Sequence, residues 1–158
     1  MNIYEVLKEL NINYQKYEHK AVFNVAEADE VYNELDFKGQ RCKNLFLRNA
    51  KGKKHFLFVI DAHKQADLAE LGEFLGERLS FASPERLEKY LGTTRGSVSL
   101  LNLINDENHE VILISDKEVA EAEKAGFHPE NNESTLILGK QGIQKFIEYC
   151  GNEVIIYQ

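Results

Sequence analysis

The sequence predicts one mixed domain, α/β or α+β, in which short strands and helices interleave from end to end. Three observations carry this. Helical spacing of apolar residues gives way repeatedly to short apolar or alternating runs. A length of 158 residues suits a single core. There are only two prolines and no repeat or low-complexity tract, so nothing marks a domain boundary and residues 1–158 read as one unit.

Each element has a local reason. Ile3, Val6, Leu7 and Leu10 lie at helical spacing, which predicts a helix over residues 1–10. Residues 14–17 alternate and read as a short strand. Asn24 has Glu27 three residues on, the pattern of a helix N-cap, and the helix runs to about Asn33 with Ala28 and Val31 on one face. Residues 44–48 and 55–60 are apolar runs flanking a turn that contains Gly52, hence a β-hairpin. A helix over 67–75 ends near Gly76, and 79–81 is a short strand. Ser83-Pro84 opens the next helix, with proline at its first position and Gly92 past its end. Further on come a strand over 111–114, a helix over 116–124 closed by Gly126, and a strand over 135–138. A helix over 140–149 ended by Gly151 and a last strand over 154–157 complete the chain.

Composition narrows the class. At 43% hydrophobic and 28% charged residues, the chain reads as an ordinary globular domain. No apolar run approaches the ~20 residues of a membrane span. The first residues lack the layout of a signal peptide, so the expected compartment is the cytoplasm. Two cysteines, Cys42 and Cys150, are too few for a disulfide framework. The net charge of -7 argues against a nucleic-acid partner until its distribution is read. Residues 38–64 hold eight Lys or Arg against one acid, Asp61, while 25 of the 26 acidic residues lie elsewhere. A positive region on an acidic body can orient a polyanion, although a solvated basic hairpin gives the same pattern.

Phosphate-loop, dinucleotide, metalloprotease and serine-elbow motifs are absent. Asp61 and His63 are the nearest approach to a ligand pair and read better as a polar loop. Cys42 beside Lys43 reads as a half-buried thiol. Four segments stand out: Glu18-His19-Lys20-Ala21-Val22-Phe23, Cys42-Lys43-Asn44-Leu45-Phe46-Leu47, the Gly/Ser loop from Gly92 through Gly96-Ser97-Val98-Ser99, and Gly126-Phe127-His128-Pro129. Taken singly, each has an ordinary reading: a strand-end charge at Lys43, a turn-fixing imidazole at His128, a ring at His19 that ties two segments together.

Taken together and in order, with Leu79-Ser80-Phe81-Ala82-Ser83-Pro84 and Leu103-Ile104-Asn105-Asp106 between them, these segments resemble the YbaK/prolyl-tRNA-synthetase-associated editing domain family. The resemblance covers nearly the whole chain. It is nearest to free-standing members that deacylate alanyl-tRNA(Pro). It implies a central mixed or antiparallel sheet, or a partly closed barrel, surrounded by helices. It also implies metal-independent, cofactor-free hydrolysis of the ester that joins an amino acid to the tRNA 3' end. On that basis Lys43 matches the family's lysine beside the terminal nucleotide. Gly96, Ser97, Val98 and Ser99 match the loop lining the reaction site, His128 the histidine at the aminoacyl group, and Asn44 the residue following the lysine. Ala28 and Val31 are candidates for the sieve that admits a small side chain. Arg41, Arg48, Lys51, Lys53, Lys54 and Arg95 are the RNA-facing candidates.

Two positions depart from the family pattern: Arg95 and Leu100 stand where proline is usual, which leaves the loop less fixed in φ. Cysteinyl-tRNA(Pro) or seryl-tRNA deacylation, and a non-catalytic module that binds the aminoacyl end, are the competing expectations. The expected partner is aminoacylated tRNA, the candidate docking partners are prolyl-tRNA synthetase and an elongation factor, and the expected state is a monomer.

Overall fold

The structure, a computed structural model, describes residues 2–158. Eight strands and six helices interleave along the chain: α1 (Ile3–Glu9), β1 (Tyr14–Glu18), α2 (Val25–Glu34), β2 (Cys42–Asn49), β3 (His55–Asp61), α3 (Leu68–Leu75), β4 (Leu79–Phe81), α4 (Pro84–Leu91), β5 (Val111–Asp116), α5 (Lys117–Glu121), β6 (Lys124–Phe127), β7 (Ser134–Gly139), α6 (Lys140–Cys150) and β8 (Val154–Tyr157). Two short 3-10 helices, Arg95–Ser97 and Leu100–Asn105, fill the segment between α4 and β5. No helix among the described residues is long and apolar enough to cross a membrane.

The strands form a mixed five-stranded sheet ordered β4-β2-β3-β5-β8 and an antiparallel three-stranded sheet ordered β1-β7-β6. An isolated bridge between Gln40 and Ala125 joins them. β3 lies at the centre of the larger sheet and is buried on both faces, which explains its unbroken apolar run. Its Leu57 and Val59 face the main core, built with Ile3, Leu7, Leu91, Leu101, Leu138 and Phe146 among others. Its Phe56, Phe58 and Ile60 face a second core, closed by Leu71 of α3.

The capping residues behave as the sequence predicts. The Asn24 side chain accepts the Glu27 N–H at 2.8 Å and starts α2. Ser83 caps α4, and Gly76, Gly92 and Gly151 take the left-handed conformation after α3, α4 and α6. The predicted helix over 116–124 is the main correction. α5 stops at Glu121, and Lys124–Phe127 is a strand paired with β7. Gly126 is therefore no helix cap. It lies in β6, and the Tyr32 hydroxyl occupies the space where a Cβ would project, so glycine is what fits there. β2 also begins earlier than the apolar run suggests, so Lys43 is its second residue.

Candidate active site

A cleft opens near the Gln40–Ala125 bridge, where the two sheets meet. α2, the start of β2, the first 3-10 turn and the residue following β6 all contribute to it. It has two parts. The outer cleft, about 170 Å³, is lined by Phe23, Lys43, Asn44, Arg95, Gly96 and His128 among others. The inner recess, about 40 Å³, is bounded by Ala28, Val31, His19, Gly126 and Thr135. Val22, Ala28, Arg41, Cys42, Asn44 and His128 line both, so the two are continuous. A larger concavity of about 400 Å³ lies elsewhere, between α5, α6 and β8. Its wall is mainly aliphatic (Val119, Ile143, Ile147, Val154), with Ser115, Lys140, Gln144 and Glu148 among its polar residues.

The polar groups of the cleft are held in defined states. His128 Nδ1 lies 3.1 Å from the Ser134 carbonyl, and since a carbonyl only accepts, Nδ1 carries the proton. Burial holds the imidazole pKa below its ordinary value, so the ring is neutral near pH 7 and its Nε2 bears a lone pair. At His19, Nδ1 donates to the Lys20 carbonyl at 2.8 Å, and Nε2 lies 2.8 Å from the Thr135 hydroxyl. The rings of His19 and His128 lie 6.4 Å apart. Burial pushes the Cys42 thiol up to about 12, with the neighbouring Asp61 charge acting in the same direction, so it is no nucleophile at neutral pH. Lys43 has no carboxylate within ion-pairing distance among the described residues, whereas Lys64 is held by Asp116 at 2.8 Å and Glu118 at 2.7 Å.

The loop between α4 and β5 is braced from within. The Ser97 N–H donates to the Thr94 carbonyl at 2.9 Å, and the Thr93 hydroxyl donates to the Ser97 carbonyl at 3.4 Å. Ser99 is fully buried and caps the second 3-10 helix: its hydroxyl accepts from Leu101 N, and its own N–H donates to Asn102 Oδ1. The Leu100 N–H donates to Asn44 Oδ1 at 2.9 Å, tying the loop to β2. A proline at position 100 has no N–H to give. This chain therefore fixes the loop by a hydrogen bond where a proline would fix it through φ.

The sequence matches the aminoacyl-tRNA editing domain family over residues 19–146. The chain belongs to that family. It is 38% identical over 147 residues to the prolyl-tRNA editing protein ProX of Acetoanaerobium sticklandii, covering 92% of this chain and 88% of that protein. It is 31% identical over 155 residues to the mouse prolyl-tRNA synthetase associated domain-containing protein 1, covering 95% and 90%. A crystal structure described as that of a candidate trans-editing enzyme for prolyl-tRNA synthetase superposes with a TM-score of 0.73 at 17% identity, covering 98% of this chain and 92% of that one. The protein is thus an aminoacyl-tRNA deacylase, and its substrate is an aminoacylated tRNA.

Against that identity, the residues singled out in the sequence separate into groups. Lys43, Asn44, Arg95, Gly96, Val98 and His128 share the outer cleft of the editing domain, and Ala28 and Val31 share its recess. Ser97 and Ser99 are not on the cleft wall: both are buried, and their hydrogen bonds shape the loop. Arg41 is a wall residue rather than a surface cation. Its guanidinium pairs with Asp29 of α2 and lies 4.3 Å from the Tyr32 ring centroid. Arg48 bonds to the Asn49 and Ala50 carbonyls, and Lys54 pairs with Glu77 at 3.5 Å. With Lys51 and Lys53, these two sit at the hairpin end of β2, about 20 Å from Lys43 at ~3.3 Å per residue. The basic block of the sequence is therefore two separate regions. Tyr32, Thr135 and Phe23 line the site too, and sequence reasoning assigned them no part in it.

Proposed function

We propose that this editing enzyme deacylates alanyl-tRNA(Pro) without a metal ion, acting as a single domain over residues 1–158. The observation that carries the reading is the size of the recess. At about 40 Å³ it has room for one group the size of a water molecule, whose share of liquid volume is ~30 Å³. The narrowness of the recess between Ala28, Val31 and Thr135 supports a methyl side chain there over the three methylenes of a prolyl ring. The names of the ProX protein and of the mouse relative support prolyl-tRNA as the tRNA concerned.

In this reading Lys43 holds the terminal phosphate or ribose as a point charge and fixes the ester in the outer cleft. The neutral His128 accepts a hydrogen bond at Nε2 from the α-ammonium of the amino acid. Water adds to the ester carbonyl carbon, giving a tetrahedral oxyanion. The N–H groups of Ser97, Ser99, Leu100 and Leu101 are already bonded, which leaves the part of the loop that lines the cleft, at Gly96 and Val98, to stabilise that charge. The water proton passes by way of the ribose 2'-hydroxyl, the C–O ester bond breaks, and the ribose oxygen leaves as a hydroxyl. The enzyme works as a monomer in the cytoplasm, with prolyl-tRNA synthetase or an elongation factor as the source of its substrate.

The test is a panel of alanyl-, cysteinyl-, seryl- and prolyl-tRNA, each assayed with and without EDTA. Hydrolysis of alanyl-tRNA(Pro) well ahead of the others and unaffected by EDTA is expected. Faster seryl or cysteinyl hydrolysis reassigns the substrate. Binding of alanyl-tRNA(Pro) without turnover ends the catalytic reading.

A further inference from the structure

We propose that Phe23 is the platform on which the terminal base of the tRNA stacks; this rests on the cleft being the site of aminoacyl-tRNA hydrolysis. Phe23 is 72% exposed, and at least one face of its ring is open. Two other phenylalanines are also well exposed, but neither stands at the cleft. Phe74 packs edge-on against Tyr157, with ring centroids 5.0 Å apart, and Phe81 lies on the edge strand β4. Phe23 lines the outer cleft together with Lys43, Arg95 and Gly96.

The ring's position is set by its neighbours. Val22 precedes it, buried in the wall of the recess. The Val22 N–H donates to the Asn132 carbonyl at 3.1 Å, and the Asn132 amide returns a bond to the Val22 carbonyl at 2.8 Å. Asn24 follows and is fixed as the N-cap of α2. Val22 thus points in and Phe23 out, with backbone constraints on both sides. One edge of the ring rests on the loop: a Cβ at Gly96 would stand 3.5 Å from Phe23 Cδ1. Lys43 and Arg95 have no carboxylate partner among the described residues, so both remain available to phosphate. An open aromatic face beside unpaired cations is the arrangement by which proteins hold single-stranded nucleic acid ends. The cations take the backbone, and the ring takes a base. With the acyl group beside Val22 in the recess, the ribose spans the cleft and the base falls at Phe23.

The experiment uses uncharged tRNA whose 3'-terminal adenine is replaced by 2-aminopurine, a base whose emission falls on stacking. Wild type, Phe23→Leu and Phe23→Trp are titrated against it, and alanyl-tRNA(Pro) hydrolysis is followed in the same preparations. Wild type and Phe23→Trp are expected to quench the emission. Phe23→Leu is expected to lose the quench and raise KM by about 5- to 150-fold, with kcat changed by less than about threefold. Thermal melting checks the fold, and an unchanged melting temperature is expected for a substitution at so exposed a position. Quenching by Phe23→Leu equal to wild type, with KM within about twofold, overturns the platform while active wild type leaves the editing reading standing. Wild type that quenches yet hydrolyses no aminoacyl-tRNA overturns the editing reading instead.

Discussion

Val31→Ala probes the recess most sharply. Val31 is 7% exposed and closes one side of a space of about 40 Å³. Removing its two terminal methyls enlarges the recess by roughly two water-sized volumes of ~30 Å³ each, about the bulk of the two further methylenes of a prolyl ring. On the proposed sieve, wild type excludes two carbons beyond the alanyl methyl, and discrimination against each is worth ~1–3 kcal/mol. Relieving even half of the lower bound on both carbons is ~1 kcal/mol, and relieving all of it is ~2 kcal/mol. The kcat/KM ratio of prolyl- to alanyl-tRNA(Pro) should therefore rise by about 5- to 30-fold, at ~1.4 kcal/mol per decade. Alanyl hydrolysis itself should fall a few-fold as the methyl loses contacts. Deleting the two methyls costs at most about 2–3 kcal/mol of stability, which thermal melting can follow. Ala28→Val is the converse change, filling the recess and depressing alanyl hydrolysis. A folded Val31→Ala variant whose prolyl-to-alanyl ratio equals that of wild type refutes the sieve.

Three further outcomes follow from other parts of the structure. Asn44→Ala leaves the buried Leu100 N–H without its acceptor, so denaturant unfolding should show a loss of about 1–3 kcal/mol, accompanied by a lower kcat as the loop loosens. His55 is buried against Phe46 and Tyr90 and accepts from Arg86 at 2.9 Å, and burial with that guanidinium holds its pKa down to about 4. Between an unfolded value of ~6.5 and that value, the unfolded chain takes up a proton that the folded chain refuses, so stability is full above pH 6.5 and falls as pH drops toward 4. The loss is at most about 3 kcal/mol, and Phe in place of His55 should flatten this window in pH-dependent melting. Replacing Lys51, Lys53 and Lys54 with Gln should make log K against log salt for tRNA binding shallower by about 2, at ~0.7–0.9 per lost phosphate contact, with the saturated deacylation rate unchanged. An unaltered slope removes the hairpin from the RNA surface.

Much of the fold is legible because its signals are local. Asn24, Ser83-Pro84, Gly92 and Gly151 mark helix ends by capping chemistry, and the two-sided burial of β3 shows as an unbroken apolar run. β6 is not legible, since its strand state depends on pairing with β7, and its glycine answers to a Tyr32 hydroxyl about ninety residues away in sequence. In the site, Lys43, Gly96 and His128 stand out through their motifs, and the structure brings them to one cleft. Charge alone misleads at Arg41. Its partner, Asp29, lies on a different element and turns a surface-type residue into part of the wall. The serines of the loop mislead for a related reason: Gly/Ser composition announces a bend, but not which hydroxyls the bend consumes in forming itself. Phe23 carries no signal in its residue type, because an exposed phenylalanine acquires meaning only from what stands beside it.

Single-turnover hydrolysis of alanyl-tRNA(Pro) by wild type and Lys43→Ala, with tRNA affinity measured alongside, tests the cleft as the place of reaction. The expected result is rapid release of alanine by wild type and a loss of at least about tenfold in kcat/KM for the variant, as for removal of a positioning charge worth ~1.4 kcal/mol or more. Equal rates for the two enzymes would contradict the assignment and place the chemistry outside this cleft.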